Sequence, residues 1–444
     1  MRVLNKKEPL ILLLGDIVFF YSALWLTLLM RYGEFPDVVR WREHVVPFSF
    51  LCALSIAVFF IAGLYEKHTI LFRSKLPTIL LNAGVANSIL AVAFFYFIPA
   101  FGITPKVNLF IYIIVSFLLS LSWRSMSHVF LGARHRQNAL LIGSGEEMRE
   151  LQEEVNGNSR YGMRFISSVD VNKLEGLDFQ EEIVKRLYVE EVGIIAVDLR
   201  SDNVEPILPH LYNLIFSRVQ FVDMHRVYED IFDRIPLSLV RYNWFLENIS
   251  VTPRFTYTVL KRLMDIFVSF VLGALSIVLY PFVYVAIKLD DGGPLFLTQE
   301  RIGRGNHIIH TRKFRSMNVS NAGGAEHITR VGKFLRTTRI DELPQLWNVF
   351  RGDLSLIGPR PELPELVKLY EKEIPYYNIR HLLKPGLSGW AQLYHKNHPH
   401  YRPDVSETRV KLSYDLYYIK NRSLLLDLKI ALKTIKTLLS RSGA

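Results

Sequence analysis

Residues 9–30 read PLILLLGDIVFFYSALWLTLLM, a stretch whose one charged side chain is Asp16. A helix needs about 20 apolar residues to cross the hydrocarbon core of a bilayer, so this run is long enough to span. Three more apolar runs follow, at roughly 46–65, 78–100 and 108–131. The connections between them are short and the runs are apolar on every face, whereas core helices of a water-soluble domain keep a polar side. The first run is too long for a signal-peptide core and lacks a small-residue cleavage site, so it reads as an anchor. A carboxylate inside a span is a functional candidate by default. The reading favoured for Asp16 is a residue near the cytosolic end, paired to a neighbouring helix.

Composition agrees with a membrane protein of several domains. The chain has 444 residues, half of them hydrophobic, a mean hydropathy of +0.18 and a formal net charge of +11. At that length two or three domains are expected. Apolar and basic character together suggest spans whose cytosolic flanks meet anionic lipid or phosphorylated ligands. Nucleic acid would account for the charge but not for the apolar runs, so no nucleic-acid partner is expected. The single cysteine, Cys52, excludes an intrachain disulfide framework. Lys and Arg in the short loops set orientation. One side holds Arg2, Lys6, Lys7, Lys67, Arg73, Lys75, Arg134 and Arg136; the other holds Arg31, Arg40, Arg42 and Lys106. Both ends of the four-helix unit, residues 1–136, are therefore expected in the cytoplasm.

From Asn138 the pattern changes. Ala139-Leu-Leu-Ile-Gly143-Ser-Gly145 reads as a buried strand running into a glycine turn and a helix over Glu146–Val155. Strands at Arg164–Val171, Gly193–Asp198 and Val219–Val222 alternate with helices near 180–188 and 204–216. That alternation predicts a parallel, doubly wound, Rossmann-like α/β domain over 137–250. The Gly143-x-Gly145 turn is like a dinucleotide fingerprint, but Met148 stands where the third glycine belongs, and Asp170 lies too far along for the ribose-binding acid. It reads as a tight structural turn ahead of an NAD site.

A fifth apolar run covers roughly 263–288 and contains Gly273 and Pro281, which break or kink a helix. Basic residues flank it on both ends, Lys261 and Arg262 before it and Lys288 after it. Crossing would carry the basic remainder to the far side of the membrane. A helix that enters, bends near Tyr280-Pro281 and returns keeps it in the cytoplasm; a plain fifth span is the alternative.

The remainder, 251–444, is broken into short basic blocks: Lys313-Phe-Arg315-Ser-Met317, Arg330, Arg336 and Arg339, Ile340-Asp341-Glu342-Leu-Pro344, Arg351-Gly-Asp353, Gly358-Pro-Arg360-Pro361, and Lys384-Pro-Gly386 leading to Gly389-Trp390. Read locally, Asp341 and Glu342 open a helix, with Asp as cap and Glu in the first turn. The alternative is chemistry, because Arg336, Arg339, Arg351 and Arg360 supply more positive charge than a cap needs. Arginine forks suit phosphate, a carboxylate can attack phosphorus, and Mg²⁺ is commonly held by one or two carboxylates with substrate phosphates. Two prolines fix the backbone around Arg360, as a phosphate clamp or as an ordinary turn. The Lys384–Trp390 block reads locally as a structural loop with a buried Trp. The last helix, about 422–440, carries Leu425, Leu428, Leu432, Ile435 and Leu439 on one stripe and Lys429, Lys433 and Lys436 on another. It either lies on an anionic membrane surface or packs into the domain core.

Six blocks in order, Lys261-Arg-x-x-Asp265, the Pro-broken run, Lys313-Phe-Arg-Ser-Met, Asp341-Glu-Leu-Pro-Gln-Leu-Trp-Asn-Val, Gly352-Asp-x-Ser-x-x-Gly-Pro-Arg-Pro361 and Pro385-Gly-x-x-Gly-Trp-Ala-Gln392, resemble the bacterial sugar transferase family over about 255–440. With four spans and a Rossmann-like domain ahead, the chain is similar to its large members, which start exopolysaccharide, capsule or O-antigen assembly. The resemblance implies a multi-domain protein of the bacterial inner membrane: a transmembrane bundle, a cytosolic α/β domain, and a mostly α catalytic domain with a Pro281-broken re-entrant helix. It implies transfer of hexose-1-phosphate from a UDP-sugar, UDP-galactose or UDP-glucose, to undecaprenyl phosphate at the cytoplasmic face, releasing UMP. Asp341 would be the nucleophile, forming an aspartyl-phosphosugar intermediate, and Glu342 would bind Mg²⁺, with Asp341 beside the ion. Arg360 would hold nucleotide phosphate, and the Lys384–Gly389 loop, with Gly386, would contact the nucleotide. Arg336 and Lys313 would lie near the lipid phosphate or the broken helix; Arg315, Arg339 and Asp353 complete the expected substrate-binding set. Relatives often carry Ser-Pro at the helix break, where this chain has Tyr280-Pro281, and some have Arg in place of Lys384. The middle domain is left with regulation or subunit contact; a homodimer is one assembly considered, and the residues do not fix the oligomeric state. Two rival readings remain: an NAD-dependent nucleotide-sugar epimerase or dehydratase, and a catalytically dead assembly scaffold.

Overall fold

The computed structural model describes residues 8–65, 76–98, 106–132, 136–158, 161–173, 185, 189–199, 201–217, 219–237, 241–249, 255–318, 327–395 and 404–440. The expected helix near 180–188 and most of the loop cations used for orientation lie outside these residues. The chain forms two compact units, Met1–Asp230 and Ile231–Ala444.

The first unit opens with four helices, α1 (Glu8–Tyr32), α2 (Val38–Ala62), α3 (Leu76–Phe97) and α4 (Lys106–Gly132), each long and apolar enough to cross a membrane. Their shared core holds Leu12, Phe20, Leu24, Leu28, Phe48, Phe59 and Tyr112, and Phe48 meets Tyr112 edge-on at 4.8 Å. The outward faces carry Leu14, Val18, Val85, Ile89 and Phe110, all exposed, an apolar area far larger than a water-soluble monomer tolerates. Asp16 is fully buried and has the partner expected of it. Arg124 Nη2 of α4 donates to its Oδ2 at 2.5 Å, as does the Tyr65 hydroxyl at 2.7 Å. Arg124 Nη1 also caps the end of α2 by donating to Leu64 O at 2.8 Å. A buried charge is tolerated when it is paired and hydrogen-bonded in this way.

After the bundle come strands β1 (Gln137–Gly143), β2 (Met163–Asp170), β3 (Val192–Val197) and β4 (Gln220–Asp223), with helix α5 (Glu146–Gly157) between the first two. All pairings are parallel and the order is β2-β1-β3-β4. Leu140, Leu141 and Ile142 are fully buried, as expected of a parallel strand covered on both faces. Sequential connection from β2 to β3 jumps over β1, so the crevice between the carboxyl ends of β1 and β3 is where such sheets hold ligands. Here a Cβ placed on Gly143 would lie 2.9 Å from Met224 Sδ and 3.7 Å from Met148 Sδ. Two buried methionines thus fill the approach a pyrophosphate would need. The continuous helix expected over 204–216 is instead three short pieces, Glu205–Ile207, Leu208–Asn213 and Leu214–Ser217; Pro206 and Pro209 each remove a helical donor.

In the second unit, α6 (Phe255–Ile277) and α7 (Tyr280–Asp290) meet at a 55° bend. Pro281 lies in the first turn of α7, where its missing N–H costs nothing. Around the elbow Phe267, Phe270, Leu275, Ile277, Val278 and Phe282 are exposed. An antiparallel hairpin, β5 (Phe296–Ile302) and β6 (Ile308–Phe314), and a short pair, β7 (Met317–Asn318) and β8 (His327–Ile328), lead into α8 (Arg330–Thr337) and α9 (Gln345–Arg351). Strand β9 (Ser355–Ile357) pairs in parallel with β10 (Gly386–Ser388), and α10 (Val405–Asn421) and α11 (Leu424–Ser440) close the fold. Leu425, Leu428 and Ile435 of α11 are exposed, while Lys429 and Lys433 lie over the rings of Trp390 and Tyr394. The apolar stripe of this helix is therefore not its packed face.

Candidate active site

Asp341 and Glu342 occupy a single 3-10 turn, Ile340–Glu342, between α8 and α9. They do not open the following helix. Pro344, with φ −61°, is the N-cap of α9, which leaves the carboxylates one turn upstream. Arg339 enters the turn in the left-handed conformation, φ 58°, a geometry uncommon for a side chain of its size. Thr329 caps α8 by accepting from Gly332 N. Gly332 packs onto Ser316 so closely that a Cβ there would fall within 3.0 Å of the Ser316 backbone.

The two carboxylates have different surroundings. Glu342 collects cations: Lys313 Nζ donates to Oε1 at 3.0 Å, Arg360 Nη2 lies 3.4 Å from the same oxygen, and Arg339 Nη1 lies 3.7 Å from Oε2. Burial pushes the Glu342 carboxyl up, but Lys313, Arg360 and Arg339 together outweigh it and hold it at about 2. Asp341 is 6 % exposed, and its Oδ1 has no hydrogen-bond partner among the described residues. Burial and then the adjacent Glu342 charge push it up to about 6, against Lys313, Arg336 and Arg339. One carboxylate is locked in its anionic form inside a basic cage; the other keeps an unengaged oxygen and a basicity suited to attack near neutral pH.

The expected substrate-binding residues divide by location. Lys313, Arg339 and Arg360 converge on Glu342. Arg336 is close enough to act on Asp341 electrostatically, and its Nε donates to Ser316 Oγ at 3.0 Å. Arg315 turns elsewhere: its Nε donates to Asp291 Oδ2 at 2.7 Å, tying β6 to the end of α7. Asp353 accepts from Asn348 Nδ2 at 3.3 Å and lies 3.8 Å from Arg351 Nε. Lys384 Nζ would be 3.4 Å from a Cβ on Gly352, itself at φ +104°.

The Arg360 and Lys384–Gly389 blocks, far apart in sequence, are packed backbone to backbone. Gly386 N donates to Pro359 O and Gly358 N to Ser388 O, both at 2.9 Å. A Cβ on Gly358 would lie 2.5 Å from Lys384 O, and one on Gly386 would fall within 3.0 Å of Gly358 N. Glycine is required at both positions by close approach, not by turn chemistry. Trp390 is buried, and its indole N–H donates to Asp233 O at 2.8 Å, in agreement with a structural role for the end of this block.

Behind Arg360 lies a buried charge network that the sequence did not announce. Arg380, 2 % exposed, donates from Nη2 to Arg360 O at 2.9 Å and pairs with Glu362 at 3.4 Å and Asp415 at 2.9 Å. Lys411 pairs with Glu362 as well. Two positive and two negative side chains thus compensate one another beneath the Gly358–Pro361 loop. Their spacing, over more than fifty positions, carries no periodic signal. Among the described residues there is no group of three His, Cys, Asp or Glu side chains able to hold a metal alone. A site completed by substrate phosphates needs only one or two carboxylates, and the unengaged Asp341 Oδ1 beside Glu342 fits that requirement.

The region that carries these residues is similar to known proteins. A family model described as bacterial sugar transferase matches residues 256–441. An Aeromonas hydrophila protein named UDP-N-acetylgalactosamine-undecaprenyl-phosphate N-acetylgalactosaminephosphotransferase is 39 % identical over 259 residues, 56 % of this chain and 60 % of that protein. A UDP-glucose:undecaprenyl-phosphate glucose-1-phosphate transferase of Caulobacter vibrioides is 38 % identical over 43 % of this chain and 74 % of its own length. An exopolysaccharide production protein of Rhizobium leguminosarum is 40 % identical over 41 % of this chain and 96 % of its own.

Proposed function

Because the chain belongs to the bacterial sugar transferase family, we propose that it transfers a hexose-1-phosphate from a UDP-sugar to undecaprenyl phosphate and releases UMP. The observation that carries this reading is the contrast in surroundings between Asp341, with a buried oxygen lacking a partner among the described residues, and Glu342, held by three cations. An Asp341 oxygen attacks the sugar-bearing phosphorus of the UDP-sugar. The bond from that phosphorus to the bridging oxygen breaks, and UMP leaves with the oxygen. An oxygen of undecaprenyl phosphate then attacks the same phosphorus, releasing the Asp341 carboxylate and giving the lipid diphosphate sugar. Splitting transfer into two displacements lets one site serve a water-soluble donor and a lipid acceptor in turn.

Lys313, Arg339 and Arg360 are proposed to meet the donor's phosphates, exchanging part of their contact with Glu342 for the incoming anion. Asp341 and Glu342 would hold Mg²⁺ together with those phosphates, and the ion would neutralise diphosphate charge. The bent pair α6–α7, with apolar side chains exposed around its elbow, supports a helix that enters the membrane and returns. That arrangement would keep the site at the cytoplasmic face of the inner membrane. The relatives are named for different sugars, N-acetylgalactosamine and glucose, so a panel of UDP-hexoses with and without the N-acetyl group is the substrate test. The critical experiment is Asp341→Asn in the full chain in lipid. UMP release and a covalent phosphosugar adduct should both disappear; near-normal transfer would overturn the proposal, and UMP release by the wild type excludes a dead scaffold.

A further inference from the structure

Strand β5 ends against the backbone that carries Arg360. Ile302 N donates to Glu362 O at 2.9 Å, and Arg301 Nη1 reaches Pro361 O at 3.5 Å. The Arg301 guanidinium is steadied by its own strand, with Nη2 donating to Gln299 Oε1 at 2.9 Å. These two neutral acceptors are its hydrogen-bond partners among the described residues, and it makes no ion pair there. The nearby carboxylates are already engaged, Glu342 with Lys313, Arg360 and Arg339, and Glu362 with Arg380 and Lys411. Arg301 is only partly exposed. It is close enough to the site that Arg360, Glu362 and Glu342 all act on its charge, burial and Arg360 outweighing the two carboxylates.

A guanidinium presents five N–H donors in a planar fork. With one donor on an amide oxygen and one on a distant carbonyl, Arg301 keeps most of its fork for another acceptor. Holding it near a second guanidinium with no carboxylate of its own is unfavourable in the empty site, and an anion between the two relieves the repulsion. Arg315, by contrast, is ion-paired to Asp291. We infer that Arg301 is a further phosphate-binding side chain of this site, taking the donor's diphosphate together with Arg360. This inference rests on the proposed function, whose nucleotide it assigns a second arginine.

The test uses the full-length protein in lipid nanodiscs, comparing wild type, Arg301→Gln and Arg301→Lys. UDP-induced thermal stabilisation and the KM for UDP-hexose are measured beside the unfolding temperature without ligand. Arg301→Gln should lose most of the UDP-induced shift and raise KM about tenfold or more, with kcat reduced less. Arg301→Lys, which keeps the charge without the fork, should recover part of both. An unchanged UDP shift and KM in Arg301→Gln would overturn the inference while leaving the proposed function standing. So would a lowered unfolding temperature in both variants with KM unaltered, which would make Arg301 a tie to Pro361 alone. A wild-type chain that UDP does not stabilise, and that releases no UMP from any UDP-hexose, would overturn both together.

Discussion

If Asp341 attacks as its carboxylate, the first half-reaction must follow its ionisation. Burial and the Glu342 charge hold this carboxyl at about 6, and the sign is fixed: the nucleophile is lost as pH falls through that value. For a group titrating at about 6, roughly nine-tenths is ionised at pH 7 and just under one-tenth at pH 5, so the rate should fall about tenfold between them. An ordinary aspartate would lose only about 7 % over the same interval. The assay is single-turnover formation of the phosphosugar adduct from labelled UDP-hexose without acceptor. Omitting the acceptor matters because its phosphate monoester titrates near pH 6 as well. Return from pH 5 to pH 7.5 should restore the rate, which separates titration from unfolding. Two variants move the midpoint in opposite directions. Lys313→Met removes a cation that lowers the Asp341 value, so its acid limb should move upward; Glu342→Gln removes the charge that raises it, so its limb should move downward. Glu342 stays ionised throughout, because Arg360 and Arg339 remain beside it when Lys313 is gone. A rate flat from pH 5 to 7, or a midpoint near 4 in the wild type, would refute the assignment of Asp341 as an elevated nucleophile.

Gly332→Ala should destabilise the second unit by about 1–3 kcal/mol, because its Cβ meets the Ser316 backbone in the short link between β6 and β7, and backbone cannot yield cheaply; thermal unfolding in detergent measures this. At Arg339, φ 58° makes backbone and side chain separable. Arg339→Gly should fold as well as the wild type yet transfer more slowly, whereas Arg339→Val should add a stability loss of about 1–2 kcal/mol. Asp427, fully buried, accepts from Lys261 and Tyr257 at 2.9 Å and from Tyr418 at 2.7 Å. Asp427→Ala leaves the Lys261 ammonium without its partner and should cost about 3–5 kcal/mol, read as earlier unfolding and faster proteolysis of α11.

Several features were legible in the residues because they depend on local physics. Four runs near the length of a bilayer became four helices able to cross one. The alternation after Asn138 became a parallel sheet, and Pro281 marked the bend between α6 and α7. Met148 argued against a dinucleotide turn, and the fold adds Met224, which no spacing rule connects to Gly143. The Asp341–Glu342 pair was also found from sequence, but as a helix opening; Pro344 moved the helix start and left the carboxylates in the turn before it.

What the residues could not tell was which charges meet. Lys313, Arg339 and Arg360 lie on a strand, a turn and a proline-fixed loop, and only the packing of those three elements brings them onto one carboxylate. Arg315, two positions from Lys313, belonged to the same basic block in sequence. Strand β6 ends at Phe314, so Arg315 is released from the pleat that would have kept it on the face of Lys313, and it bonds Asp291 instead. Arg301 and the Glu362–Arg380–Lys411–Asp415 network gave no motif, since burial and mutual distance are properties of the fold. By itself the sequence determined four runs long enough to span a bilayer and the order of the blocks, because hydrophobic length and turn chemistry act over a few residues; the nucleophile role of Asp341 came from the family resemblance. Tertiary structure decided that Asp341 keeps one buried oxygen without a partner among the described residues while Glu342 is caged by cations, because desolvation and Coulomb attraction act through space.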